Sequence, residues 1–337
     1  MPSSAQSPHR AWSRDDLRII RALQVAPRAS FARIGEVLGL HERTVSRRYA
    51  ALRREGVLRI HGVVNPLAVG HDLWQVRVRC RPDAAEPLAT ALAGRDDIAW
   101  VGITAAGSEV SFSIRSLSQE RRDLLLTRSL PRTAHVLDID AHVVLRVFLG
   151  MSAHDWSGLA DRLSAEETAA LGGVTALRGT RRAMELAPYD AAIFAALAAD
   201  GRAGHAALAT AAGISDARAA RRLGALLEHQ VVVIDLDLAT AAFGYHVGAR
   251  LHLQVAPARL NQVGQALAEL PEIGFVGALS GRDNLMASAT CRDLSHLYEL
   301  SSGSVGTIEG ITAMEVVPIM RVVKQSGARM VDGRLLG

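Results

Sequence analysis

Arg43, Arg47 and Arg54 stand four and seven residues apart. At about 100° per residue along an α-helix, their side chains fall within roughly 40° of one another, grouped around Ala50. Val45, Tyr49 and Leu52 fall on the opposite side. A helix with an apolar stripe on one side and long cationic donors around a small residue on the other suits a DNA major groove. The donors reach bases and phosphates, and little bulk stands where the backbones approach. Thr44, Ser46 and Arg48 flank that face and are expected at phosphate oxygens. A solvated charged face is the ordinary explanation of arginines on a helix, so the weight falls on where the charge lies.

Of the 38 cationic residues all but Lys324 are arginine. Residues 1–60 hold 12 arginines against five carboxylates (Asp15, Asp16, Glu36, Glu42 and Glu55), a net of +7, and the remainder of the chain sums to −3. A basic first module on a near-neutral body implies a polyanionic partner at that end. The 337 residues suggest two to four domains. A content of 49% hydrophobic and 21% charged residues excludes a disordered chain. No run approaches the ~18 uncharged apolar residues that cross a bilayer, and residues 1–16 have no apolar secretion core. Cys80 and Cys291 are isolated, which excludes a disulfide scaffold and a Cys-rich zinc site and points to a reducing cytoplasm. No Gly-rich phosphate loop, Ser/His/Asp set or paired carboxylates at helical spacing stands out, so the expectation is a non-enzyme with no cofactor and no metal.

The chain repeats itself. Asp16–Leu23 aligns with Asp190–Leu197 at an offset of 174, which also pairs Arg28-Ala29 with Arg202-Ala203, Gly39-Leu40 with Gly213-Ile214, and Arg47-Arg48 with Arg221-Arg222. At 175, Trp100-Val101-Gly102 pairs with Phe275-Val276-Gly277, and Leu145-Arg146-Val147 with Met320-Arg321-Val322. Two copies of about 140 residues follow, read as a tandem duplication able to form a pseudo-dimer in one chain.

Each copy has two parts. Leu17, Ile20 and Leu23, then Phe31, Ile34 and Leu38, then Val45, Tyr49 and Leu52 recur at helical spacing, with Pro27 and Gly39 between. Extended runs at 57–60 and 63–64 then suggest a small hairpin, so residues 12–66 read as a winged helix-turn-helix. In the second part Val76, Val78 and Cys80 face one way and Arg77 and Arg79 the other. A β-α-β-β-α-β order follows, the ferredoxin-like split motif, over 70–149. The fold class is therefore α+β. Copy two repeats it as a degenerate helix-turn-helix over 188–240 and a second ferredoxin-like domain over 244–325. In copy two Ala217 replaces Arg43 and Glu228 replaces Arg54, and residues 185–237 carry four arginines against seven carboxylates. Little DNA affinity is expected there. Residues 150–187 read as a linker with one short helix, begun by a capping box at Ser164–Glu167, ended by Gly172-Gly173, and followed by loop at 179–182.

The segment from Ala32 to Leu58, ARIGEVLGLHERTVSRRYAALRREGVL, resembles the helix-turn-helix of the leucine-responsive/asparagine-synthesis regulator (Lrp/AsnC) family. The segment Leu197-Ala-Ala-Asp-Gly-Arg-Ala203 is similar to the opening of a second such module, and the β-α-β-β-α-β parts resemble the family's effector domain. His41 departs from the family's usual small cap residue. The resemblance implies a bacterial transcription regulator whose partners are duplex DNA, a small effector such as an amino acid, and further copies of itself. It also implies sensing domains that pair sheet to sheet, with effector at their contact beside the loop between the second and third strands. That loop holds Thr104 and Gly107 in copy one, and Ser280, Gly281, Arg282, Asp283 and Asn284 in copy two. Adjacent Arg282 and Asp283 suit the two ends of a zwitterion.

A rival resemblance is to sirohaem decarboxylases, which share the two-part architecture and need His and Arg at a tetrapyrrole pocket. Here His71, His135, His142, His246, His252 and His296 form no motif shared by the copies. His246 and His252 share a strand face, which is more often structural than metal-binding. A sensing module without DNA binding is the third reading, and the net +7 of the first module argues against it.

Overall fold

The computed structural model describes residues 12–150, 156–172 and 184–336. The expected helix end at Gly173 and the expected loop at 179–182 lie outside them. Helix α1 (Arg14–Val25) starts at a capping box in which Ser13 Oγ accepts from the Asp16 amide and Asp16 accepts from the Ser13 amide. Helix α2 (Phe31–Leu38) ends at left-handed Gly39, φ 68°. Helix α3 (Glu42–Arg54) is capped by an imidazole: His41 Nδ1 accepts from the Arg43 amide at 3.2 Å, so the unusual residue still meets the capping requirement. Ile20, Leu23, Ile34, Leu38, Val45, Tyr49 and Leu52 are buried as their periodicity requires, and Leu17 and Phe31 partly so.

The expected wing hairpin does not form. Residues 58–64 are one unbroken strand, β1 (Leu58–Val64). Gly62 marks no turn. A Cβ there would lie 2.6 Å from the Leu197 Cβ, so the missing side chain admits a helix from the other half of the chain. The ladder partner lies about as far away in sequence and is described below.

Strand β2 (Trp74–Cys80), α4 (Pro82–Ala93), β3 (Ile98–Thr104), β4 (Glu109–Ile114), α5 (Gln119–Leu124) and β5 (Val136–Leu149) follow. Their sheet order, β3-β4-β2-β5, is that of the expected ferredoxin-like motif. Helix α6 (Ala165–Ala170) starts at the Ser164–Glu167 capping box, and Glu167 pairs with Arg18 on α1. The three-helix order returns as α7 (Asp190–Ala199), α8 (His205–Ala212) and α9 (Asp216–Glu228), then β6 (Val232–Leu238). Strand β7 (Val247–Val255), α10 (Leu260–Ala268), β8 (Ile273–Leu279), β9 (Leu285–Cys291), α11 (Leu294–Glu299) and β10 (Ile311–Gln325) complete a second sheet segment, ordered β8-β9-β7-β10.

Strand β6 pairs antiparallel with β1 from Leu58↔Leu238 to Val64↔Val232. The two helical parts thus share one ribbon and one hydrophobic core. Arg28 donates to the carbonyls of Gly201 and Ala203, and Arg202 returns donors to those of Pro27 and Ala29.

The two sheet segments do not stack face to face as expected; they join at their edges. Strands β5 and β10 are 14 and 15 residues long and overhang their neighbours. The free part of β5 pairs with β8, and that of β10 with β3. Eight strands therefore close into an antiparallel barrel. Closure leaves those two long strands no open edge. A last hairpin, β11 (Ala328–Val331) and β12 (Arg334–Leu335), returns to the helices, where Leu335 donates to the Gly56 carbonyl at 2.9 Å. No described helix is long and apolar enough to cross a membrane.

Candidate DNA-binding face and an internal cavity

Helix α3 buries Val45, Tyr49 and Leu52 and exposes Arg43, Arg47, Ala50 and Arg54. Among the described residues no carboxylate pairs with the three arginines, so they form one open cationic face. Thr44 and Ser46 lie at its half-buried margin. Arg48, expected at phosphates, is engaged elsewhere: it donates to Asp16 Oδ1 at 2.7 Å and Ser13 Oγ at 3.0 Å, holding α3 to the start of α1. Position 222 repeats the device, with Arg222 Nε donating to Asp190 at 2.9 Å. Helix α9 offers Ala217, Arg221 and Glu228 on its outer face, and its Arg218 lies over the Tyr189 ring at 4.8 Å.

The loops expected to hold an effector are tied into the fold. Asn284 accepts from the Val255 amide at 2.9 Å and donates to the Val255 carbonyl at 2.8 Å, replacing a ladder partner. Asp283 accepts from Gln254 Nε2 rather than pairing with exposed Arg282. Ser280 bonds the Val143 backbone in both directions. Gly281, φ 98°, is close to the His142 ring, which a Cβ would meet at 2.5 Å. Thr104 is buried and donates to Glu109 Oε1 at 2.8 Å, and Gly107 ends a left-handed turn at φ 86°.

None of these seven residues lines the cavity of about 430 Å³ between the β1–β6 ribbon and the barrel. Trp100, Arg115, Asp235, Arg250 and Ser288 do. Arg250 is 6% exposed and lies 3.9 Å from the Trp100 ring centroid. Burial pulls its pKa down to about 10, and among the described residues no acceptor meets its guanidinium. Gly102 makes the stack possible, because a Cβ there would lie 2.3 Å from the Trp100 ring. Arg250 and His252 share a face of β7, and His246 stands just before the strand begins. His246 reaches the cavity; His252 is buried, with its pKa pulled down to about 4 mainly by burial. Nearby, Arg77 pairs with buried Glu109 at 2.9 Å and with Glu315 at 2.9 Å, tying β2, β4 and β10 together.

The sequence reading missed this cavity, although a signal was there. Gln75, Arg77, Ser111, Ser113, Arg250, His252 and Ser288 are polar on alternate positions of β2, β4, β7 and β9. On an open sheet they would face water. Barrel closure turns them inward.

Residues 14–53 match the AsnC-type helix-turn-helix domain, spanning α1 to α3. Residues 248–329 match the Lrp/AsnC ligand binding domain, spanning β7 to β11. An uncharacterized HTH-type transcriptional regulator of Pyrococcus abyssi is 27% identical over 150 residues, 44% of this chain and 95% of the relative. One from Pyrococcus horikoshii is 26% identical over the same shares. Among solved structures, the siroheme decarboxylase NirDL in complex with an iron-uroporphyrin III analogue covers 93% of both chains, with TM-score 0.61 and 13% identity. A second crystal structure of the siroheme decarboxylase NirDL covers 92% of both chains, with TM-score 0.62 and 14% identity. That likeness is one of fold. The chain thus carries an AsnC-type helix-turn-helix and an Lrp/AsnC ligand-binding domain, and it is similar to HTH-type transcriptional regulators.

Proposed function

We propose that the protein is a transcription regulator that reads duplex DNA through α3 and responds to a small carboxylate-bearing metabolite, an amino acid being the simplest case. The observation that carries the DNA reading is the open face of Arg43, Arg47 and Arg54, beside an Arg48 that is engaged within the fold. The test is binding to an operator selected in vitro with the wild-type protein. Arg47→Ala lowers its affinity, and affinity falls steeply with salt. Equal affinity in wild type and variant refutes the assignment.

The effector reading moves from the 280–284 loop to the cavity. A buried guanidinium without an acceptor is suited to a carboxylate. The chain reads as two copies of one unit with a single strong DNA-reading helix. A palindromic operator therefore requires two chains, and a homodimer or larger even assembly is expected.

A second reading, a tetrapyrrole enzyme, draws on the NirDL fold and on arginines 115, 250 and 321 around the cavity. It gives the open arginine face of α3 no purpose. Absorbance that stays unchanged when an iron porphyrin carboxylate is added is the expected result.

A further inference from the structure

The β1–β6 ribbon carries a side-chain cluster that the DNA and effector readings do not use. His61 faces Asp235 directly across the ladder, and Asp237 follows on the same strand face. At the 174-residue offset, position 61 is the counterpart of position 235. The pair therefore sits at the centre of the ribbon, where the two helical parts meet. His61 is 1% exposed and Asp237 3%, while Asp235 is half-buried and lines the cavity with Asp237. Neither imidazole nitrogen of His61 has a hydrogen-bond partner, nor does Asp237 Oδ2. His61 Nδ1 lies 3.5 Å from Asp237 Oδ2, and one donor atom from each of the three residues falls within 4.8 Å of the others.

Unpartnered buried donors of this kind call for a ligand. The backbones of Ser326 and Arg59 come near His61, and Ser326 and Gln325 near Asp237, but none forms a well-aligned hydrogen bond to His61 Nδ1, His61 Nε2 or Asp237 Oδ2. Burial, aided by Arg59 and Arg115, pulls the His61 pKa down to about 3. Burial raises the carboxyl pKa of Asp235, and burial together with Asp235 raises that of Asp237.

We propose that His61, Asp235 and Asp237 bind one divalent first-row transition metal, Zn²⁺ or Mn²⁺ by ligand type, at the centre of the β1–β6 ribbon. One imidazole and two carboxylates without a thiolate suit these ions rather than Cu(I). Bonds of about 2.0–2.2 Å on a tetrahedron put ligand atoms roughly 3.3–3.6 Å apart, and His61 Nδ1 and Asp237 Oδ2 are 3.5 Å apart. The wall lined by Asp235 and Asp237 leaves further coordination positions to water or to a ligand in the cavity. Arg59 and Arg115 face the cluster and offset part of its negative charge, so moderate affinity is expected.

The test is calorimetric titration of the full chain, stripped with a chelator, with Zn²⁺ and separately with Mn²⁺, in the absence of DNA. Wild type takes up one equivalent with a rise in thermal midpoint. Asp237→Asn and His61→Gln lose at least tenfold in affinity, and His252→Gln loses none. No uptake by wild type, or equal uptake by wild type and Asp237→Asn, overturns the proposal. If neither cluster variant folds, the visible spectrum of Co²⁺-loaded wild type decides: bands of a four- or five-coordinate nitrogen/oxygen site support it, and the spectrum of the aquo ion refutes it. Because no DNA is present, the result is independent of the regulator reading.

Discussion

Two adjacent arginines on α3 do opposite work. Arg47 is exposed and free for an external polyanion, whereas Arg48 is bonded to a buried carboxylate on α1. Helical periodicity separates the two faces, but spacing cannot show that Arg48 finds Asp16 on another helix. Arg48→Ala is expected to destabilise the protein by about 1–3 kcal/mol, measured by urea unfolding, because Asp16 then stays buried without its cation. Burial raises the Asp16 pKa, but its bonds to Ser13 and Arg48 outweigh this and leave it below the usual 3.8. The stability from that depressed pKa is present above the unfolded value and is lost as pH falls through the folded one. Arg48→Ala should therefore weaken the acid dependence of stability in that window. Arg250 gives the complementary case. Arg250→Met removes a buried unpaired cation, so thermal stability should hold or rise while carboxylate ligands lose their effect on the midpoint. A fall in stability with ligand response intact would remove Arg250 from the site.

At the level of elements, local pattern and distant pairing part company. Helices α1 to α3 follow from their apolar period and caps, and both β-α-β-β-α-β runs follow from alternation. The wing does not, because β1 pairs with a strand some 170 residues on and Gly62 serves a helix contact instead of a turn. Gly62→Ala should cost about 1–3 kcal/mol through overpacking against Leu197, read by thermal or urea unfolding. An unchanged midpoint would show that the ribbon tolerates extra bulk there. The bonding of the 280–284 loop likewise depends on distant pairing. Asn284 repairs a strand edge at Val255, and Arg282 and Asp283 do not meet, so residue types that suit a zwitterion serve mainly the barrel rim. The cavity residues were visible only as a polar alternation whose burial depends on closure.

For the whole molecule, both helical parts share one core and both sheet segments share one barrel, so a ligand between ribbon and barrel touches both. On the proposed reading, such a ligand would favour one arrangement of the two helical parts and so couple to DNA affinity, reciprocally. The helical parts are chemically unequal, since α9 has Ala217 and Glu228 where α3 has Arg43 and Arg54. Arg221→Ala should cost far less DNA affinity than Arg47→Ala; equal losses would mean that both helices read DNA. These two positions make the fair comparison, because Arg48 and Arg222 hold α1 and α7 in place. The central claim, that α3 reads DNA, is tested most directly by the affinity of Arg47→Ala for the selected operator across a series of salt concentrations, with its unfolding midpoint measured alongside. The expected result is a loss of about 1–3 kcal/mol, a shallower salt slope and an unchanged midpoint. Affinity and slope equal to wild type would contradict it.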